Sequence, residues 1–149
     1  MTGHTDNRVV IDAPLDRVWR VTNDVASWPS LFGEYASAEI LDEAENYVRF
    51  RLTTRPDEEE RCWSWVSERE LDPVNHVVHA RRVETGPFEY MRIRWEYRPT
   101  DGGVEMRWIQ DFHLKPEAPV DDAEMTARIN RHSPVELARI KRLIESGKA

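Results

Sequence analysis

The chain has 149 residues, of which 40% are hydrophobic and 33% charged, with a formal net charge of −7. That length is one ordinary domain's worth and buries roughly 70% of its unfolded surface, so residues 1–149 read as a single globular domain. The acidic balance argues against a general nucleic-acid or acidic-membrane binder, and no apolar run approaches the ~20 residues needed to span a bilayer. The polar start, Met1 to Arg8, has no stretch resembling a signal peptide. Cys62 stands alone, which rules out an internal disulfide and fits a reducing cytoplasm.

In chain order, Arg8 to Ile11 is a short strand-like run, ended by Ala13-Pro14. Asp16 then begins a helix whose apolar face is Val18, Trp19, Val21 and Thr22. Trp28-Pro29-Ser30 starts a second short helix, since proline is tolerated in a first turn. Six strand-like segments follow, at about Tyr35–Leu41, Asn46–Thr54, Arg61–Glu70, His76–Glu84, Phe88–Arg98 and Val104–Lys115. Turn-forming residues separate them, among them Asp72-Pro73, Thr85-Gly86-Pro87 and Asp101-Gly102-Gly103. Short turns between successive strands imply an antiparallel meander. After a linker at Pro116–Val120, Asp121-Asp122 opens a long helix. Its apolar stripe is Met125, Ile129, Leu137, Ile140 and Ile144, and Pro134 is expected to bend it. The expected class is α+β: a curved seven-stranded antiparallel sheet around the long C-terminal helix, with two short helices after the first strand. Such sheets often leave a ligand cavity beneath the helix.

Alternation assigns the faces. Trp63 and Trp65 put the odd face of their strand inward and carry Ser67 and Arg69 with them. In the last strand Val104, Met106, Trp108, Gln110, Phe112 and Leu114 share the inward row, which Gln110 alone interrupts. Met91, Ile93, Trp95 and Tyr97 share a face of the strand before it. Tyr35 lies on the opposite parity from Ala36, Ala38 and Ile40, so pattern alone leaves its direction open. Arg69 reads either as a strand-end residue emerging into solvent or as a cation inside a water-containing pocket, and Gln110 either as a core amide or as a pocket group. The tryptophans are core filling or pocket wall.

Other chemistries have little support. His4, His76, His79, His113 and His132 show no metal-binding spacing, and no nucleophile elbow or phosphate-binding loop is present. The run Asp57–Glu60 reads as a solvated loop.

Several segments together carry a resemblance. They are Val9–Pro14, Ser27-Trp28-Pro29 with Phe32 and Tyr35, Trp63–Arg69, Met91 with Trp95-Glu96-Tyr97, Arg107–Phe112, and Ile129-Asn130-Arg131. With them the chain resembles, over nearly its whole length, the monodomain aromatase/cyclases of bacterial aromatic (type II) polyketide biosynthesis, of the tetracenomycin and spore-pigment type. The resemblance implies the helix-grip (START, SRPBCC-like) fold. It also implies an enzyme that directs regiospecific first-ring aldol cyclisation and dehydrative aromatisation of a poly-β-ketone delivered by an acyl carrier protein. The ketosynthase/chain-length-factor complex is a further partner on this reading. Arg69, Tyr35 and Ser67 would be the catalytic groups, and Trp28, Trp63, Trp65, Arg82, Met91, Trp95, Trp108 and Gln110 would bind substrate. No metal or redox cofactor is called for. Some monodomain members use a buried histidine–aspartate pair near the last strand; here His113 is on the outward parity, and no such pair is carried over. The alternative is a non-catalytic carrier or sensor of hydrophobic ligands, and a third reading is a stress-response or co-chaperone-like domain of the same fold.

Overall fold

The computed structural model describes residues 2–57 and 59–149. Met1 and Glu58, the latter within the acidic run read as a solvated loop, lie outside the described residues. The elements are β1 (Gly3–Ile11), α1 (Leu15–Asn23), a 3-10 turn (Val25–Ser27), α2 (Trp28–Leu31), β2 (Tyr35–Ala44), β3 (Tyr47–Thr54), β4 (Ser64–Asp72), β5 (Val77–Arg82), β6 (Phe88–Thr100), β7 (Gly103–Leu114) and α3 (Asp122–Glu145). The strands form one antiparallel sheet in the order β1-β7-β6-β5-β4-β3-β2. Strands β2 to β7 are therefore a meander, and β1 joins it beside β7.

Several boundaries differ from the sequence reading, two of them with consequences for the sheet and the site. β1 begins at Gly3 rather than Arg8, because its polar first half pairs with β7 all the way to Gly3↔Phe112. Glycine is required there: a Cβ at Gly3 would run into the buried Phe112 ring. β4 begins at Ser64 rather than Arg61, which leaves Trp63 outside the strand.

The Tyr35 ambiguity has a structural answer. Register shifts between Tyr35 and Ser37 and between Ile40 and Asp42 mark irregularities in β2. The first lets Tyr35 pair with Thr54 while Ala38 pairs with Leu52 and Ile40 with Phe50. A bulge of this kind inverts parity and bends the strand, so Tyr35 joins Ala38 and Ile40 on the concave face.

α3 is capped by Asp121, whose side chain accepts the Glu124 N–H. It runs unbroken through Pro134. Its C-terminal half buries Leu137, Ile140 and Ile144 against Ile11, Val18, Val104 and Met106. Its N-terminal half lays Met125 and Ile129 on a smaller cluster of Phe88, Met91, Phe112 and Leu114. Polar ties fix both ends. Lys141 donates to the Val10 carbonyl at 2.7 Å, and Asp122 accepts from the Leu114 N–H at 2.8 Å. Among the described residues no helix is long and apolar enough to cross a membrane.

Candidate functional site

A cavity of about 910 Å³ lies between the concave face of the sheet and α3, and residues from both apolar clusters line it. Every residue singled out for a pocket from the sequence and the resemblance lines it: Trp28, Tyr35, Trp63, Trp65, Ser67, Arg69, Arg82, Met91, Trp95, Trp108 and Gln110. They are not equivalent in depth. Trp28, Tyr35, Ser67, Arg69, Met91, Trp95, Trp108 and Gln110 are buried, while Trp65 and Arg82 are half-buried. Trp63 lines the cavity only at its rim: it is 54% exposed, one residue before β4 begins, beneath the Arg61 guanidinium.

At the deep end, Arg69 on β4 is 2% exposed. Its Nη2 donates to Asn23 Oδ1 at 2.7 Å, and its Nε has no partner among the described residues. The guanidinium carbon lies 4.9 Å from the Trp28 ring centre and 4.7 Å from that of Trp95. Desolvated cation–π contacts of this kind contribute about 2 kcal/mol each, against a burial cost of several kcal/mol for the ion. Burial pulls the Arg69 pKa down to about 10, and the neighbouring Tyr97 and Tyr35 oppose that fall. The group therefore stays protonated at neutral pH. Trp28 is itself fixed, its Nε1 donating to the Thr22 carbonyl at 3.1 Å.

Nearer the mouth, Arg82 on β5 places its guanidinium carbon 4.0 Å from the Trp65 ring centre and 4.9 Å from that of Phe88. It too is pulled down to about 10 by burial. Tyr35 is held well above the ordinary phenol range, first by burial and then by the charge of Glu34, so its proton stays on at neutral pH. Across the cavity, Gln110 Nε2 donates to Ser133 Oγ of α3 at 3.4 Å.

The structure adds groups that alternation did not select. Glu34 is exposed as a residue, yet it lines the mouth beside Tyr35. Loss of solvent around its carboxyl, and then the charge of Glu136, raise it to about 6, while the Tyr35 hydroxyl and Arg82 pull it back. Glu136 of α3 accepts the Gly33 N–H at 2.9 Å and is likewise raised by burial. Asn23, at the end of α1, comes within reach of Arg69 only in the folded chain. Tyr97, by contrast, is on the face of β6 that alternation assigned with Met91, Ile93 and Trp95, and it is buried beside Arg69. His113 does meet a carboxylate, with Nδ1 2.6 Å from Asp122 Oδ2, but neither residue lines the cavity. The pair ties β7 to the start of α3. Among the described residues no group of three or more His, Cys, Asp and Glu could hold a metal ion.

Comparison with known proteins agrees with this geometry. The family described as polyketide cyclase / dehydrase and lipid transport matches residues 11–138. A Streptomyces cyaneus protein, provisionally named a polyketide cyclase, is 59% identical over 145 residues, covering 97% of this chain and 95% of that protein. The actinorhodin polyketide synthase bifunctional cyclase/dehydratase of Streptomyces coelicolor is 28% identical over 137 residues, which are 89% of this chain and 41% of that protein. The crystal structure of the Zhui aromatase/cyclase from Streptomyces sp. R1128 superposes with a TM-score of 0.86 at 25% identity, covering 97% of this chain and 94% of that one. The chain thus belongs to the polyketide cyclase / dehydrase and lipid transport family.

Proposed function

We propose that this protein is a cyclase/dehydratase of aromatic polyketide biosynthesis that closes and aromatises the first ring of a poly-β-ketone presented by an acyl carrier protein. The observation that carries the reading is the buried Arg69, which has no carboxylate partner among the described residues and sits at the end of an aromatic cavity. A carrier of purely apolar ligands gains little from such a costly group. A substrate that develops negative charge on oxygen gains a great deal.

A poly-β-ketone has acidic methylenes and electrophilic carbonyls, so it cyclises unselectively in water. The cavity's first task is to hold one fold of the chain, with the reacting carbons in near-attack geometry against Trp28, Trp65, Trp95 and Trp108. Arg69 stabilises the oxygen that gains charge as a methylene is deprotonated to its enolate. The enolate carbon then bonds to a carbonyl carbon, and the resulting alkoxide takes up a proton. Tyr35, whose proton is held on by burial, supplies it, with Ser67 as a second hydroxyl in the relay. Glu34, titrating near 6 beside Tyr35, is placed to take up the methylene proton. Gln110 and Arg82 orient carbonyl oxygens further along the chain. Loss of water from the aldol then gives the aromatic ring and makes the sequence irreversible.

The test is Arg69→Ala in a reconstituted minimal synthase. The variant keeps its fold by circular dichroism and loses about 10²–10³ of the first-ring rate, as expected for deletion of an oxyanion-stabilising group. Unchanged products and rate would remove Arg69 from the chemistry. Wild-type protein that binds hydrophobic dye yet leaves the synthase's products unaltered would establish the carrier reading instead.

A further inference from the structure

Among the described residues Arg69 is held by neutral groups only. Asn23 has both ends of its amide committed: Nδ2 donates to the Trp19 carbonyl at 2.9 Å, and Oδ1 accepts from Arg69 Nη2 at 2.7 Å. Flipping the amide would set donor against donor at Arg69 and discard the Trp19 bond, so the oxygen is locked toward the guanidinium. A second device lies behind it. The single hydroxyl proton of Thr22 goes to the Val18 carbonyl at 2.7 Å. The 2.6 Å contact between Thr22 Oγ1 and Tyr97 Oη must then be donated by Tyr97. That leaves the lone pairs of Tyr97 free for its neighbour Arg69, and burial pushes Tyr97 up to about 12, so it is neutral.

We propose that Asn23, backed by the Tyr97–Thr22 hydroxyl pair, is a positioning residue that orients Arg69 with neutral acceptors so that its full positive charge remains for a ligand oxygen. A carboxylate at position 23 would hold the guanidinium equally well and relieve its burial, but it would cancel the field that reaches the ligand. An amide oxygen supplies direction without neutralising. The inference rests on the reading that Arg69 faces the reacting oxygen of the ligand.

Asn23→Asp separates the two, since it is nearly isosteric and keeps the acceptor facing Arg69 while adding a charge, at the cost of the Nδ2 bond to the Trp19 carbonyl. The probes are 2-naphthalenesulfonate, an anion, and its neutral analogue 2-naphthalenesulfonamide, titrated calorimetrically into the full chain. Wild type prefers the anion, Arg69→Ala loses that preference, and Asn23→Asp lowers it tenfold or more with an unfolding temperature equal to or above that of wild type. If Asn23→Asp keeps the preference while Arg69→Ala loses it, the role of Asn23 is overturned and the reading of Arg69 stands. If both keep it, the reading of Arg69 falls and takes the inference with it. Tyr97→Phe provides an arm that adds no charge: kcat falls severalfold with KM unchanged. An unaltered kcat in that variant overturns the proposal independently, whatever the folding of Asn23→Asp.

Discussion

The two faces of the sheet treat the same side chain in opposite ways. On β5, Arg81 points outward and meets Glu68 at 2.5 Å; Arg82, one residue on, points inward and lies over Trp65. On β4, Glu68 faces out, where it also takes Tyr47 at 2.9 Å and Arg49 at 3.3 Å, while Ser67 and Arg69 on either side face the cavity. The same outer pattern continues at Arg107, which pairs with Asp6 and Glu96, and at Glu105, which meets both Arg8 and Arg98. Outside, charge is balanced locally by carboxylates. Inside, Arg69 and Arg82 are covered by aromatic faces and form no ion pair among the described residues. Paired charge on a wet surface adds a little stability and is screened by salt. Unpaired charge in a half-closed apolar space costs stability and is of use only when a ligand answers it.

The largest expected effect comes from removing the inner cover. Trp95, 2% exposed, packs against Trp28, Phe32 and Trp108 and under Arg69. Trp95→Ala should cost about 3–5 kcal/mol in chemical denaturation, and a loss under 1 kcal/mol would mean the aromatic wall is not holding the cation. On the outer face, Glu68→Gln removes one carboxylate that serves three neighbours and should cost about 1 kcal/mol, less at high salt. A much larger, salt-independent loss would erase the contrast between the faces. A subtler effect is expected at the mouth. The folded-state pKa of Glu34 lies near 6, above its ordinary value of 4.5. Its contribution to stability is therefore present below about pH 4.5 and is lost as pH rises through 6. Glu34→Gln should flatten that part of the stability–pH curve, and an unchanged slope would show that the carboxyl is fully solvated. The smallest effect is expected at Trp63→Ala, within about 0.5 kcal/mol of wild type, since the ring is mostly exposed.

Much of this arrangement is legible in the sequence because a sheet with one covered face writes itself in alternation. The buried row Val104, Met106, Trp108, Gln110, Phe112 and Leu114 could be read directly, Gln110 included. Alternation fails where the pleat fails. Tyr35 sits next to a bulge that reverses parity, and alternation says nothing of depth, so it could not tell the rim position of Trp63 from the buried ones further along the strand. It is also blind to partners distant along the chain. Asn23 and Arg69 are 46 positions apart, and nothing in the polar end of a short helix announces that its amide will face a buried cation. Glu34 is similar: its neighbour Glu136 belongs to the last helix.

The pairing of β1 with β7, which puts Val9 opposite Met106 and Gly3 opposite Phe112, has a consequence for how the molecule assembles. β1 cannot find its neighbour until some hundred further residues have been made, and α3 is fastened to the end of that same strand through Lys141 and Glu145. Closure of the hollow thus rests on contacts remote in sequence, the kind that carry the larger loop-closure cost. Trimming the opening strand would unseat the roof of the chamber along with the edge of its floor.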